Sequence, residues 1–489
     1  MFHPPYPTFR PLYFGLIILL LILSACNLPA LTETAAPVES APPSTLHAPP
    51  STLLTPPSTL LTPPSTLLTP PSSPLPSPLC PGAQPALVTD LEVRQPPQMA
   101  EPAARLPFRD PVFGACLVRV TDHKIDLAPG DTSAGLKNEY SRVQSFNLDG
   151  TLILVRTTEA DWYIYSASTL QPLDQVPIEM DPRWSATDPN VIYYSSGTRL
   201  MSYDLLGEQT VVHDFADDFP GQNLAAVWTR YEGSPSWDGR YWGLMAQDEN
   251  WLVNAYLVYD LQTDTVLATR DTRLWPEAAR SADTVTISPR GNYFLAYMDE
   301  YCEHGQLGTD AHPCGLMVYD RSLQNGRGLL RIIGHSDIAL DAQDREVLIY
   351  QDIDTDNISM LDLGSGAITP LWPIDFSYTS IGLHISGRSF TRPGWVLVST
   401  HDGDVASHTW MDDSVFAIEL KPGGHVVRLA HTHSLVDESQ EHDYWAEPHA
   451  SVNLDFTRIL FTTNWDRSGT AEVEMYMIEL PQDWSEELP

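Results

Sequence analysis

The stretch DTVTISPRGNYFLAYMD, Asp283 to Asp299, contains one repeat unit in miniature. A short run, Val285-Thr286-Ile287, leads through a Pro-Arg-Gly turn into a strongly apolar run from Tyr293 to Met298. β-Branched and aromatic residues suit a pleated, buried surface, and the proline and glycine mark the turn between two strands. A third strand, GLMVYD, then ends on Asp320.

The same order recurs seven times along the chain, at a spacing of roughly 40 to 60 residues. The other copies open with RVQSFNLDGTLILVRT (from Arg142), DPRWSATDPNVIYYSS (from Asp181) and GSPSWDGRYWGLMAQ (from Gly233). They continue with GHSDIALDAQDREVLIYQ (from Gly334), GLHISGRSFTRPGWVLVST (from Gly382) and PHASVNLDFTRILFTTNW (from Pro448). No segment has a convincing amphipathic helical pattern. A small antiparallel sheet cannot bury both faces alone, whereas radial stacking of such sheets does. The fold class expected is therefore all-β, a seven-bladed β-propeller over residues 85–489, with blades from about residue 139. The last copy ends at EVEMYMIELP without a fourth strand. FRDPVFGACLVRVTD, Phe108 to Asp122, supplies a candidate: a closing strand at about 116–121, completing blade seven from the N-terminal side and removing its edge.

The N-terminal residues bear on the compartment. Arg10 precedes the short apolar run LIILLLIL, and Leu23-Ser24-Ala25-Cys26 resembles a bacterial lipobox. The reading is a lipoprotein signal peptide over 1–25 and acylation of Cys26. The protein is expected in the bacterial cell envelope, extracytoplasmic, with the lipid membrane as a partner. Residues 26–84 carry a seven-residue Ser/Thr/Leu/Pro repeat. Frequent proline excludes helix and central strand, so this is read as a disordered stalk. The formal charge is −36, from 27 basic and 63 acidic residues. So acidic a chain excludes nucleic acid as a partner and favours a soluble monomer. Apart from Cys26 there are four cysteines, which allow three pairings in an oxidising compartment. The short loop favours Cys302–Cys314, which leaves Cys80–Cys116.

Nine of the fifteen histidines fall between His335 and His449. His335 stands six residues before Asp341, His449 six before Asp455, and His384 has the same address ahead of a longer turn. In a propeller this address is the start of the innermost strand, at the mouth of the central channel. Three consecutive blades would then aim imidazoles at one point. Glu447 is expected to join from the same strand face as His449 at period two. Imidazoles with one carboxylate suit a divalent metal: manganese, zinc or iron. His431 and His433, in AHTHS, leave one strand face and line the same rim or lie half-exposed in a loop. His401, His408, His425 and His442 fall in stretches that read as loops. No nucleophile elbow is present, and the tryptophans of RWS, SWD and GWV are read as core residues.

From DPVFGACLVRVTD through NEYSRVQSFNLDG to RLAHTHS and EPHASVNLDFTRILFTTNW, the chain resembles the oligogalacturonate lyase family. That resemblance implies a seven-bladed propeller enzyme binding manganese through three histidines and a glutamine. By position, His335 and His449 match two of the family's histidine ligands, and His384 matches a histidine of the same blade. Glu447 stands where the family has its remaining histidine ligand, and Tyr444 where it has glutamine. Thr284 occupies the address of the family's catalytic base. Elimination next to a carboxylate needs a base and cationic help for the enolate, so these departures weigh against lyase chemistry. The expected function is capture of a glycan or peptide ligand at the mouth, with Tyr444, His431, His433 and Thr284 as ligand-binding positions. A diverged lyase with Glu447 or His433 as proton acceptor, and a protein-interaction scaffold, are the alternatives.

Overall fold

The structure, a computed structural model, describes residues 79–81, 86–374, 381–401, 408–437, 439–440, 442–486 and 488. The segment read as a signal peptide, 1–25, Cys26 and the expected stalk as far as residue 78 lie outside the described residues. None of the described helices is long and apolar enough to cross a membrane.

Seven antiparallel sheets form the blades of a propeller. Blade four shows why the sequence builds one. Its strands run Ala282–Ile287, Tyr293–Met298, Leu316–Asp320 and Arg327–Leu330. Along the second strand, Phe294, Ala296 and Met298 pack into the apolar layer shared with blade three. Leu295 and Tyr297 pack into the layer shared with blade five. Alternate side chains thus enter different layers, and both are buried, which is why the run reads as continuously apolar. The fourth strands of blades one, two, three and five are more exposed; Thr265–Asp271 of blade three alternates between exposed and half-buried along its whole length.

Blade seven closes the ring. Its strands Ser451–Val452, Arg458–Thr463 and Glu474–Glu479 are joined on the outer side by Cys116–Arg119, and Phe108–Arg109 adds a fifth strand. The register runs from Cys116 opposite Glu479 to Arg119 opposite Tyr476. Glu474 fastens this seam from within. It is fully buried, accepts from Arg119 Nη2 (3.0 Å) and Thr121 Oγ1 (2.7 Å), and lies 2.7 Å from the His123 ring. Disulfides join Cys80 to Cys116 and Cys302 to Cys314.

The channel is filled by polar rivets between blades. Asp181 accepts from the Thr229 and Tyr231 amides, and Arg183 Nε donates to the Gly233 carbonyl at 2.9 Å. Asp337 accepts from Arg388 and from the Gly387 amide at 2.7 Å. At the end carrying the first turn of each blade, Trp237 of blade three meets Phe390 of blade six, ring centres 6.4 Å apart. Trp237 is therefore a turn residue, 43 % exposed, and not the core tryptophan its sequence context implies.

Leu117 is 1 % exposed on the closing strand, within the layer between blades six and seven. Leu117→Ala should cost about 2–5 kcal/mol by chemical denaturation. Leu206→Ala, at a 95 % exposed turn, should stay within about 0.5 kcal/mol. Equal effects would remove the closing strand from the stability of the ring.

Candidate metal centre at the channel mouth

The first strand of blade one is interrupted. Leu136–Lys137 pairs with Arg156 and Thr157, and the ladder resumes only as a bridge between Phe146 and Ile153. The intervening segment carries Glu139, Tyr140 and Arg142 into the mouth, where all three are buried. His384 lies within the first strand of blade six, Gly382–Ser386, and His335 directly precedes that of blade five, Ser336–Leu340.

Glu447 and His449 reach the site differently from the expected extended strand. Glu447 caps a single 3-10 turn, Asp443–Ala446, and His449 has a left-handed backbone with φ 44°. The ladder of blade seven begins only at Ser451. The two side chains nevertheless converge. Glu447 Oε2 lies 3.3 Å from His384 Nε2 and 3.3 Å from His449 Nε2. One ligand atom from each of His384, Glu447 and His449 falls within 4.8 Å of the others. His384 is 1 % exposed, and neither of its ring nitrogens has a hydrogen bond. A buried polar group without such a partner costs about 1–3 kcal/mol, so this imidazole fits a divalent ion better than it fits a packed core.

His335 stands beside this donor set and not within it. Its ring centre is 4.4 Å from that of His384, and its Nδ1 is 3.0 Å from the Tyr140 hydroxyl. Tyr140 also packs against His384 and His449, at 5.3 and 4.8 Å, so one ring of blade one touches imidazoles from three blades. Burial pushes His335 down to about 3 and His401 down to about 4, and burial with His449 nearby holds His384 well below the usual imidazole range. All three are neutral at neutral pH, the form that can coordinate a metal. Lys137 Nζ lies 3.1 Å from His449 Nδ1, and burial pulls its ammonium down to about 7. Arg142 pairs with Glu232 at 3.1 Å and Arg156 with Glu139 at 3.1 Å. Tyr444 is half-buried 6.4 Å from the His449 ring, and burial, then Glu447, raises its phenol well above 10.

Three expected ligand-binding positions lie elsewhere. Thr284 is fully buried and donates to the Thr229 carbonyl at 2.8 Å, so its hydroxyl is not offered to the mouth. His431 ends the outermost strand of blade six, fully buried, with Nε2 3.0 Å from the Arg94 carbonyl. His433 is 3 % exposed and stacks on Trp465 at 4.3 Å. The segment running from Val88 to Phe113 covers this edge, which is why neither ring is a rim or half-exposed loop residue. Conversely, His401 ends the second strand of blade six and stacks on His384 with centres 6.5 Å apart. Pairing of Gly382 with His401 places it there, and only the strand register reveals that pairing.

No family model and no curated protein matches the chain. Solved structures do. An oligogalacturonate lyase in complex with manganese is 16 % identical, with a TM-score of 0.53 over 83 % of this chain and 99 % of that one. Oligogalacturonate lyase from Vibrio parahaemolyticus is 13 % identical, with a TM-score of 0.51 over 82 % of this chain and 100 % of its own. The likeness shows the fold. At these identities the chemistry of this mouth has to be argued from its own residues.

A Cβ added at Gly382 would lie 2.2 Å from His401 Nε2. Gly382→Ala should therefore displace the His401 ring from His384 at a cost of about 1–3 kcal/mol, read as a changed His401 imidazole resonance and a lowered Tm. An unshifted resonance would mean that the ring is not seated over this glycine.

Proposed function

We propose that the protein is a lipid-tethered, extracytoplasmic propeller that captures a glycan or peptide ligand at its channel mouth through a divalent metal. The observation that carries this reading is the convergence of His384 Nε2, Glu447 and His449 Nε2, with both nitrogens of the buried His384 lacking a hydrogen bond. Manganese, zinc and iron all accept two imidazoles and a carboxylate. Bound there, the ion would offer a positive pole to a carboxylate or hydroxyl oxygen of the ligand. Around it, Lys137 abuts His449, Tyr140 packs the three imidazoles, and Trp445 lies 5.4 Å from Lys137 as a flat half-buried surface. The tether rests on Leu23 to Cys26 and the proline-rich repeat that follows.

Capture is favoured over elimination because Thr284 offers no base and His433 is sealed under the Trp465 ring. One observation supports the lyase alternative. A register shift between Ala282 and Thr284 makes Asp283 the extra residue of a bulge, and bulges redirect side chains next to sites. Burial, then Glu232, raises the Asp283 carboxyl to about 6, a range suited to proton transfer.

Purified without chelator, the protein should hold one divalent ion per chain by elemental analysis. Metal at a hundred times its Kd should stabilise the fold by about 2.7 kcal/mol. His384→Ala and Glu447→Gln should abolish that gain, and Glu447→Gln should keep the metal-free Tm. Retention of a glycan or peptide from a library, lost on chelation and without product, supports capture. An unsaturated uronide product lost in Asp283→Asn would replace it by the lyase reading, and a metal-free wild type would reject both.

A further inference from the structure

The geometry points to a second polar device, far from the metal-binding residues in sequence: a charged latch in which His213 of blade two is clamped between two aspartates and ties blade two to blade three. His213 lies on the outermost strand of blade two, Gln209–Asp214. Its Nδ1 is 2.7 Å from Asp264 Oδ1, in the turn before the fourth strand of blade three, Thr265–Asp271. Its Nε2 is 2.8 Å from Asp218 Oδ2, which follows the 3-10 turn Phe215–Asp217.

A neutral imidazole has one N–H and can satisfy only one carboxylate; its other nitrogen would turn a lone pair toward the second. Both contacts are within ordinary hydrogen-bond length, so the arrangement requires the doubly protonated ring. Phe215 and Tyr259 hold that ring at 4.6 and 5.0 Å, fixing its plane. Among the described residues, the titratable groups facing it are Asp218, Asp264 and Tyr259, whose hydroxyl donates to Asp264 Oδ1 at 2.8 Å. Burial opposes the charge, but the hydrogen bonds to Asp218 and Asp264 outweigh it and the imidazole is raised above 6.5. Hydrogen bonds from Tyr259 and His213 hold the Asp264 carboxyl low, which leaves the proton on the ring.

The sign follows from linkage. A group raised on folding contributes stability that is fully present below its unfolded value, about 6.5, and is lost as pH rises through its folded value. The full-length protein, titrated by NMR with chelator present so that the metal centre plays no part, should show a His213 midpoint above about 6.5. Asp218→Asn should lower that midpoint. The Tm advantage of wild type over His213→Phe should be largest at about pH 5 to 6, where the ring is protonated and both aspartates are ionised, and shrink as pH rises. A midpoint at or below the free-imidazole value, or a Tm difference independent of pH, would overturn the latch.

Discussion

Ring closure is the constraint on which the rest of this molecule depends. The strand Cys116–Arg119 reaches the end of the chain to pair with Glu474–Glu479, and the buried Glu474 joins Arg119, Thr121 and His123 across that seam. A buried carboxylate is tolerated only where cations and hydrogen bonds surround it, so the seam is stable in this pairing and costly in any other. Closure also assembles the mouth. Lys137 and His449 are separated by 312 residues and Tyr140 and His335 by 195, yet both pairs are within about 3 Å. Without the seam, blade one would not stand beside blade seven, and the imidazoles would lose the phenol ring they pack around.

The mouth concentrates polar groups that elsewhere in the fold would be liabilities. The apolar layers between blades hold almost only aliphatic and aromatic side chains, whereas the channel holds His335, His384, His449, Arg142 and Glu232, all buried. Most are paired: Arg142 with Glu232, Asp337 with Arg388, Asp181 with the amides of Thr229 and Tyr231. His384 differs: Glu447 Oε2 lies 3.3 Å from its Nε2, yet neither ring nitrogen makes a hydrogen bond. Burial keeps it neutral, which preserves a lone pair for coordination but leaves its hydrogen-bonding capacity unused. A side chain left without a hydrogen bond where a second imidazole and a carboxylate converge is what the proposed metal centre would account for.

Much of this was legible in the sequence, for physical reasons that differ between elements. In blades three to seven the second and third strands are buried on both faces, so runs such as Tyr293–Met298 and Leu316–Asp320 stand out as apolar blocks between turns. Fourth strands such as Pro172–Val176, half exposed and mixed in composition, give no such block. His335, His384 and His449 share an address because blades repeat, and repetition is visible without coordinates. Period-two spacing to His449 points to Glu447 in the sequence, and the two side chains do converge, although the local geometry is a 3-10 turn followed by a left-handed residue, in place of a strand. His401, Lys137 and Tyr140 escaped because register and ring closure bring them in. His431 and His433 looked available because nothing in their own strand reveals that Val88 to Phe113 lies over them.

The net charge of −36 is not concentrated at the channel mouth. Arg142 pairs there with Glu232 and Arg156 with Glu139, while Lys137, whose ammonium burial pulls down to about 7, only partly offsets Glu447, so these groups leave little net charge. The excess acidity therefore lies mainly outside this group, where solvent and salt screen it over about 8–10 Å. A divalent ion among His384, Glu447 and His449 would make the mouth positive, in surroundings of low dielectric where that charge acts strongly. Glu447 matters in this balance as much as in coordination. With an ion bound there, its carboxylate would make the centre one charge unit less positive than a neutral imidazole would, and so weaken attraction for a polyanion.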